Sequence, residues 1–149
     1  MKILSKEQIY AADKATEQAE HIPSFNLMER AGGYAYHYLH QRLQNQPVNI
    51  TIFCGTGNNG GEGLVIARNL IENGYSVVTY IVNYSESRST DFLNALSVLK
   101  NSTKNWPQII KSENDFPEIQ PEDLIVDCIF GIGLNRPADS WVQKLFNHI

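Results

Sequence analysis

The chain has 149 residues, of which 42% are hydrophobic and 19% charged, and a formal net charge of -4. That is enough for one domain with its own core, and the acidic balance argues against a general binder of nucleic-acid backbones, so the expected partner is a small molecule. No apolar run approaches the roughly 20 residues needed to cross a bilayer, and Met1-Lys2-Ile3-Leu4-Ser5 turns polar too early for a secretion signal, so the expected location is the cytoplasm.

Ser5-Lys6-Glu7-Gln8 fits a capping box, and Ile9, Ala12 and Ala15 or Thr16 recur at helical spacing, which predicts a first helix. Pro23 ends or redirects it. A broad apolar stripe from Leu27 and Met28 through Ala31, Tyr34, Ala35, Tyr38 and Leu39 predicts a second helix from about Ser24 to Leu43, with Ala31-Gly32-Gly33 allowing close packing. Tyr34, Tyr36 and Tyr38 alternate and cannot share one helix face, so some tyrosine surface is expected to be exposed. His21, His37, His40 and His148 lack metal-ligand spacing and read as solvated or helix-surface residues. This helical preface, residues 1–45, is unusual before a nucleotide-binding sheet and is expected to cap it or to contact another subunit.

From residue 46 strands and helices alternate. Val48-Asn49-Ile50-Thr51-Ile52-Phe53-Cys54 is β-branched and apolar, a buried strand. Gly55-Thr56-Gly57-Asn58-Asn59-Gly60-Gly61-Glu62-Gly63 follows as a glycine loop, and Leu64 to Asn73 reads as a helix with Gly74 as its left-handed cap. A loop with so few side chains lets backbone N–H groups approach a phosphate at the start of a helix. The alternative is a tight strand-to-helix turn with no ligand, since G-x-G-x-x-G is weak alone. Further along, Tyr75 to Val82 reads as a strand, Ser87 to about Lys100 as a helix, Asn105 to Ile110 as holding a short strand, and Lys111 to Asp123 as loop. Leu124 to Phe130 is a buried strand and Asp139 to Ile149 a helix. The fold class is α/β, with a mostly parallel sheet covered on both faces. Cys54 and Cys128 sit in the buried strands and read as small apolar residues.

Asp127 lies within an apolar strand, and a buried carboxylate needs compensation. A cation held with an Asn side chain and backbone carbonyls would supply it; so would the N–H groups of a neighbouring loop. If that strand lies beside the first, its end shares a crevice with the glycine loop. A second glycine-bearing loop follows, Gly131-Ile132-Gly133-Leu134-Asn135-Arg136-Pro137, whose Arg136 either binds a phosphate or pairs with a surface acid such as Asp139.

The glycine loop is no Walker A motif, because Gly61-Glu62-Gly63 stands where Lys-Ser or Lys-Thr would follow. The strand ending Ile81-Val82-Asn83-Tyr84 has no acid for a ribose, which argues against a nicotinamide dehydrogenase. Three stretches in order, Leu27-Met28-Glu29-Arg30-Ala31-Gly32, Asn58-Asn59-Gly60-Gly61-Glu62-Gly63-Leu64-Val65-Ile66-Ala67-Arg68 and Val126 to Pro137, together resemble the NAD(P)H-hydrate epimerases, the YjeF N-terminal domain family. The resemblance covers nearly all of the chain and about the first two thirds of the family domain.

The resemblance implies a Rossmann-like three-layer fold and an isomerase of metabolite repair that interconverts the R and S epimers of NADHX and NADPHX, nicotinamide cofactors hydrated at C6. It also implies a homodimer, and an ADP- or ATP-dependent NAD(P)HX dehydratase domain or protein as a partner. By the same resemblance Asn58, Asn59, Gly60, Gly61, Glu62 and the loop Gly131, Ile132, Gly133, Leu134, Asn135, Arg136 and Pro137 bind substrate, while Asn59 and Asp127 hold a potassium ion. Inversion needs acid or base help in breaking and remaking a C–O or C–N bond. Two departures stand out. Glu62 replaces the family's usual Asp, and no stretch matches the family's Asp-x-Pro-Ser-Gly type segment, so the catalytic acid is expected beyond Ile149. The domain is therefore expected to be incomplete, keeping nucleotide affinity with weak or no epimerase activity. The rival reading is a non-catalytic module that binds nucleotide, RNA or protein, because relatives include an RNA-decapping scaffold and a partner of apolipoprotein A-I.

Overall fold

The computed structural model describes residues 3–149. Met1 and Lys2, the start of the segment read as too polar for a secretion signal, lie outside the described residues. Four parallel strands form one sheet: β1 (Asn49–Cys54), β2 (Ser76–Val82), β3 (Gln108–Ile110) and β4 (Leu124–Cys128), in the order β3-β2-β1-β4. The chain runs outward from β1 through β2 to β3, then returns to place β4 on the other side of β1. The direction of winding therefore reverses between β1 and β4, where open α/β sheets form a ligand crevice at their carboxyl ends.

The first helix, α1 (Lys6–Glu20), starts where the capping box predicts: Ser5 Oγ accepts from the Gln8 N–H at 3.3 Å, and Gln8 Oε1 accepts from the Ser5 N–H at 2.8 Å. Its apolar stripe is thin, and none of its residues is buried. Beneath it α2 (Ser24–Leu43) buries Met28, Gly32 and Tyr36, one residue per turn, and leaves Tyr34 and Tyr38 exposed. The tyrosines divide as their alternation requires. Gly32 lets α2 meet α3 (Asn58–Glu72) closely, since a Cβ there would lie 2.7 Å from Val65 Cβ. Arg68 of α3 holds Glu29 of α2 at 2.6 Å across the same seam. Gly33 faces open space and takes no part in that packing.

Helices α2, α3 and α4 (Thr90–Ser102) cover one face of the sheet over Ile50, Ile52, Cys54, Val77 and Ile81. Helix α5 (Ser140–His148) and the segment around Phe116 and Ile119 cover the other, over Phe53, Val82, Ile110 and Ile129. This is the three-layer plan read from the alternation of elements. β1 runs through the middle with five of its six residues buried, which its β-branched composition suits. Cys54 and Cys128, register partners on adjoining strands, are free and buried, and burial pushes both thiols up, Cys128 to about 12.

Several boundaries differ from the sequence reading. α3 begins at Asn58, six residues before Leu64, so Gly60, Gly61 and Gly63 are helical rather than loop. α4 starts later than Ser87, at Thr90, because the Ser89 hydroxyl accepts from the Phe92 N–H and caps it. The segment read as loop after β3 carries one turn of 3-10 helix, Glu113–Asp115. β4 stops at Cys128, short of Phe130. His40 is half-buried, not solvated: its Nδ1 lies 2.7 Å from the Tyr75 hydroxyl. Among the described residues no helix is long and apolar enough to cross a membrane.

Candidate functional site

The site is built where β1 and β4 end. Cys54 is followed by a bend of three residues, Gly55-Thr56-Gly57, and α3 starts immediately with Gly57 as its N-cap in extended conformation. No side chain caps this end, so the first N–H groups of α3 carry the helix's partial positive charge without an internal partner. An anion in the crevice would find those donors ready.

Glycine in this motif works mainly for packing. A Cβ on Gly60 would fall 2.0 Å from the Gly55 carbonyl oxygen, and one on Gly63 would fall 2.7 Å from Cys54 Sγ and 2.8 Å from Cys128 Cβ. One on Gly61 would meet Met28 at 2.6 Å. The helix therefore lies nearly in contact with the sheet and with α2, and Gly60, Gly61 and Gly63 are buried beneath it. At Gly55 the close neighbour is the Ile129 carbonyl oxygen, 1.9 Å from where a Cβ would stand, so the bend presses against the end of β4. Only Gly57 opens onto free space.

The two amides sit differently. Asn58 is exposed, while Asn59 is half-buried and its Nδ2 donates to the Phe130 carbonyl at 3.0 Å, joining α3 to the start of the second glycine loop. Gly131 lies against Asn59 as well, with a Cβ there 3.1 Å from Asn59 Cβ. The rest of that loop, Ile132 to Pro137, is exposed. Gly133 approaches the hydroxyl of Tyr10 on α1, so the loop stretches from the end of β4 toward the helical preface. Among the described residues Arg136 has no carboxylate within 4.0 Å, and the pairing with Asp139 is not formed.

Asp127 departs from its expected surroundings. β4 is an outer strand of the described sheet, and the carboxylate is exposed rather than buried. One oxygen, Oδ1, accepts from the Ile129 N–H at 2.9 Å, a local bond two residues on rather than one from a neighbouring loop. In register it stands beside Phe53, on the α5 face, whereas Asn59 lies on the α3 face. The two residues thus reach the same loop from opposite sides of the sheet end, Asp127 through Ile129 and Asn59 through Phe130.

Glu62, on the second turn of α3, is the carboxyl with altered acidity here. Burial raises its pKa above the ordinary value, and Asp13 of α1 adds to the rise. Two further features escaped the sequence reading. The Ser89 N–H donates to the Thr56 carbonyl at 3.2 Å, bringing the segment after β2 to the glycine bend and Arg88 with it. Tyr84 packs its ring at a 53° tilt against Phe130, centroids 4.9 Å apart, and reaches Gly55 with its hydroxyl, walling the bend on the α5 side. The signal was in the sequence: Asn83, noted for lacking a charge, opens that segment. A concavity of about 580 Å³ at the opposite end of the sheet, among Asn45–Asn49 and Asn73–Ser76, touches none of these residues.

Comparison with known proteins agrees with this geometry. The family described as YjeF-related protein N-terminus matches residues 24–149. A bifunctional NAD(P)H-hydrate repair enzyme Nnr from Dictyoglomus turgidum is 35% identical over 150 residues, covering 100% of this chain and 29% of that protein. An NAD(P)H-hydrate epimerase from Lentilactobacillus buchneri is 38% identical over 117 residues, covering 77% of this chain and 51% of its own length. The crystal structure of yeast YNL200c superposes with a TM-score of 0.81 at 25% identity, over 99% of this chain and 64% of that one. The chain thus spans less than two thirds of each of these relatives. With the family match over most of its length, a parallel sheet that winds outward from β1 and the asparagine-glycine helix start at the reversal point, this chain belongs to the YjeF-related N-terminal family.

Proposed function

We propose that the chain is the nucleotide-binding part of an NAD(P)H-hydrate epimerase, and that its ligand is a hydrated nicotinamide dinucleotide, NADHX or NADPHX. The observation that carries this reading is the hydrogen bond from Asn59 to the Phe130 carbonyl, which makes one crevice of the α3 start and the loop from Gly131 to Pro137 at the point where the sheet reverses. In this reading the uncapped start of α3 at Asn58, Asn59 and Gly60 takes a phosphate group. Arg136 on its exposed loop folds onto a second anionic oxygen. Gly61 contributes by letting α3 lie close to α2, and Glu62, half-buried on the second turn of α3, offers its carboxyl oxygens to a ligand hydroxyl.

The donors at Asn59 and Asp127 fit a potassium ion in kind. Asn59 spends its Nδ2 on Phe130, which leaves its Oδ1 without a protein donor among the described residues, and Asp127 keeps one carboxylate oxygen equally free. Asn59 and Asp127, which reach the loop after β4 from its two sides, would hold the ion between them together with that loop's carbonyls. It would supply positive charge beside the bound phosphates, while Asn59 and the loop orient the ligand. The bifunctional relative joins its repair activities in one polypeptide, so a dehydratase domain or protein is the natural partner of this reading. The chain is read as one incomplete domain, with residues 1–45 as a preface to the sheet.

The test is calorimetric titration of the chain with NADPHX in potassium and in sodium buffer, with epimer interconversion followed by chromatography. Saturable binding that is tighter in potassium and is weakened at least tenfold by Asn59→Ala supports the reading. Binding that is absent, or indifferent to Asn59, refutes it.

A further inference from the structure

The segment after β2 closes the crevice on the side away from β4. Asn83 follows the last residue of the strand, and its N–H donates to the Ile110 carbonyl at 2.8 Å. At the other end Ser89 is tied to Thr56 of the glycine bend. Between these anchors Arg88 folds back: its guanidinium donates to the Glu86 backbone carbonyl at 3.0 Å and to Asn83 Oδ1.

Both of those acceptors are neutral. Among the described residues no carboxylate lies within 4.0 Å of Arg88, whereas Arg30 and Arg68 each hold a glutamate. Arg88 is half-buried, so it has given up part of its hydration without gaining a counter-charge. A guanidinium has five N–H donors, and two contacts leave the others to a ligand. A phosphate is the acceptor that such a planar fork matches best.

The position says which phosphate. In a strand, glycine bend, helix, strand unit that binds a dinucleotide, the end of the second strand meets the adenosine ribose. A carboxylate there takes the ribose hydroxyls, and a nearby arginine accommodates a 2′-phosphate. Here the residue just past the second strand is an amide, Asn83, with an arginine bonded directly to it. The amide also removes the repulsion that an acid would exert on a phosphate.

We propose that Arg88, positioned by Asn83, binds the ribose 2′-phosphate and makes this site selective for NADPHX over NADHX. The assignment rests on the dinucleotide reading given above and adds the choice between its two ligands. Asn83 fixes the guanidinium through Oδ1 and keeps its Nδ2 donors for the ribose.

The experiment is titration of the chain with NADP+ and NAD+, and with adenosine 2′,5′-bisphosphate and AMP, at one fixed ionic strength. NADP+ and the bisphosphate are expected to bind at least about tenfold more tightly than their counterparts lacking the 2′-phosphate. Arg88→Gln is expected to abolish that ratio, Arg88→Lys to keep part of it, and Asn83→Asp to lower or invert it, with urea midpoints confirming that each variant is folded. Equal affinity of the unmodified chain for the two members of each pair overturns the assignment and leaves the dinucleotide reading standing. So does an Arg88→Gln variant that keeps the ratio or loses both affinities alike. Failure of all four nucleotides to bind overturns the dinucleotide reading, and the assignment falls with it.

Discussion

Gly60→Ala should separate a packing glycine from a ligand-approach glycine. The new methyl would stand 2.0 Å from the Gly55 carbonyl oxygen and 2.6 Å from its carbon. Both are backbone atoms of a bend that is itself pressed against Ile129, so no rotamer change relieves the contact. Overpacking of this kind costs about 3 kcal/mol, the upper part of the usual range, while alanine gains about 1 kcal/mol over glycine within a helix. The net loss is therefore about 2 kcal/mol. With a urea slope of about 2 kcal/mol/M, the unfolding midpoint should fall by about 1 M. Gly33→Ala is the internal control: it lies within α2, nothing stands within 4 Å, and the helix gain alone should raise the midpoint by about 0.5 M. The measurement is urea unfolding followed by far-ultraviolet circular dichroism, without any ligand. If Gly60→Ala unfolds at the midpoint of the parent chain, or if the two variants shift together, close helix-on-sheet contact is not why glycine stands at position 60.

Three further outcomes are expected. Glu62 has its folded-state pKa raised above the ordinary 4.5, so the folded chain holds the proton longer than the unfolded one. Its contribution is fully present below pH 4.5 and is lost as the pH rises through the raised value, so the urea midpoint of Glu62→Gln should gain on the parent as the pH climbs from 4.5 through that value and keep its lead above it. A constant difference across that range would contradict the assignment. Arg68→Ala strips the counter-charge from Glu29 at the seam of α2 and α3, whose side chains are 16% and 27% exposed, and should cost about 1–3 kcal/mol, less than a fully buried pair would lose. A double-mutant cycle with Glu29→Gln should recover a coupling above about 0.5 kcal/mol, and a coupling of zero would show the pair to be idle. Finally, Cys128, with its thiol pushed up to about 12, and the enclosed Cys54 should resist iodoacetamide at pH 8 in buffer and react readily in urea. Fast labelling of the native chain, located by mass spectrometry, would place either thiol in the wrong surroundings.

Much of this fold was legible because the patterns were local. β1 announced itself through Ile50-Thr51-Ile52 and the apolar Phe53 and Cys54 after it, and the tyrosines of α2 sorted themselves by alternation. The start of α3 was not legible for a specific reason: three glycines, Gly60, Gly61 and Gly63, have low intrinsic helix preference, and only the sheet and α2 packed against them make the helical form favourable. Asp127 was misjudged because apolar neighbours in sequence were taken as burial. Leu124, Ile125 and Val126 are only half-buried on this outer strand, and the carboxylate beside them is exposed. Arg88 escaped because nothing in a run of serines, Glu86 and Arg88 reveals that the backbone of Ser89 will fasten to Thr56, more than 30 positions earlier.

The order β3-β2-β1-β4 also has a bearing on how the molecule assembles as it is made. β1 acquires its first neighbour, β2, soon after synthesis, yet its second, β4, follows about 70 residues behind; at roughly 5–20 residues per second the delay on the ribosome is about 4–14 s. During that interval the nascent unit of β1, α3 and β2 has one unpaired edge on what becomes its central strand, exposed to other emerging chains. A chaperone that shields strand edges, or a dinucleotide already engaged at the start of α3, would act in that window, before Asn59 and Phe130 have met.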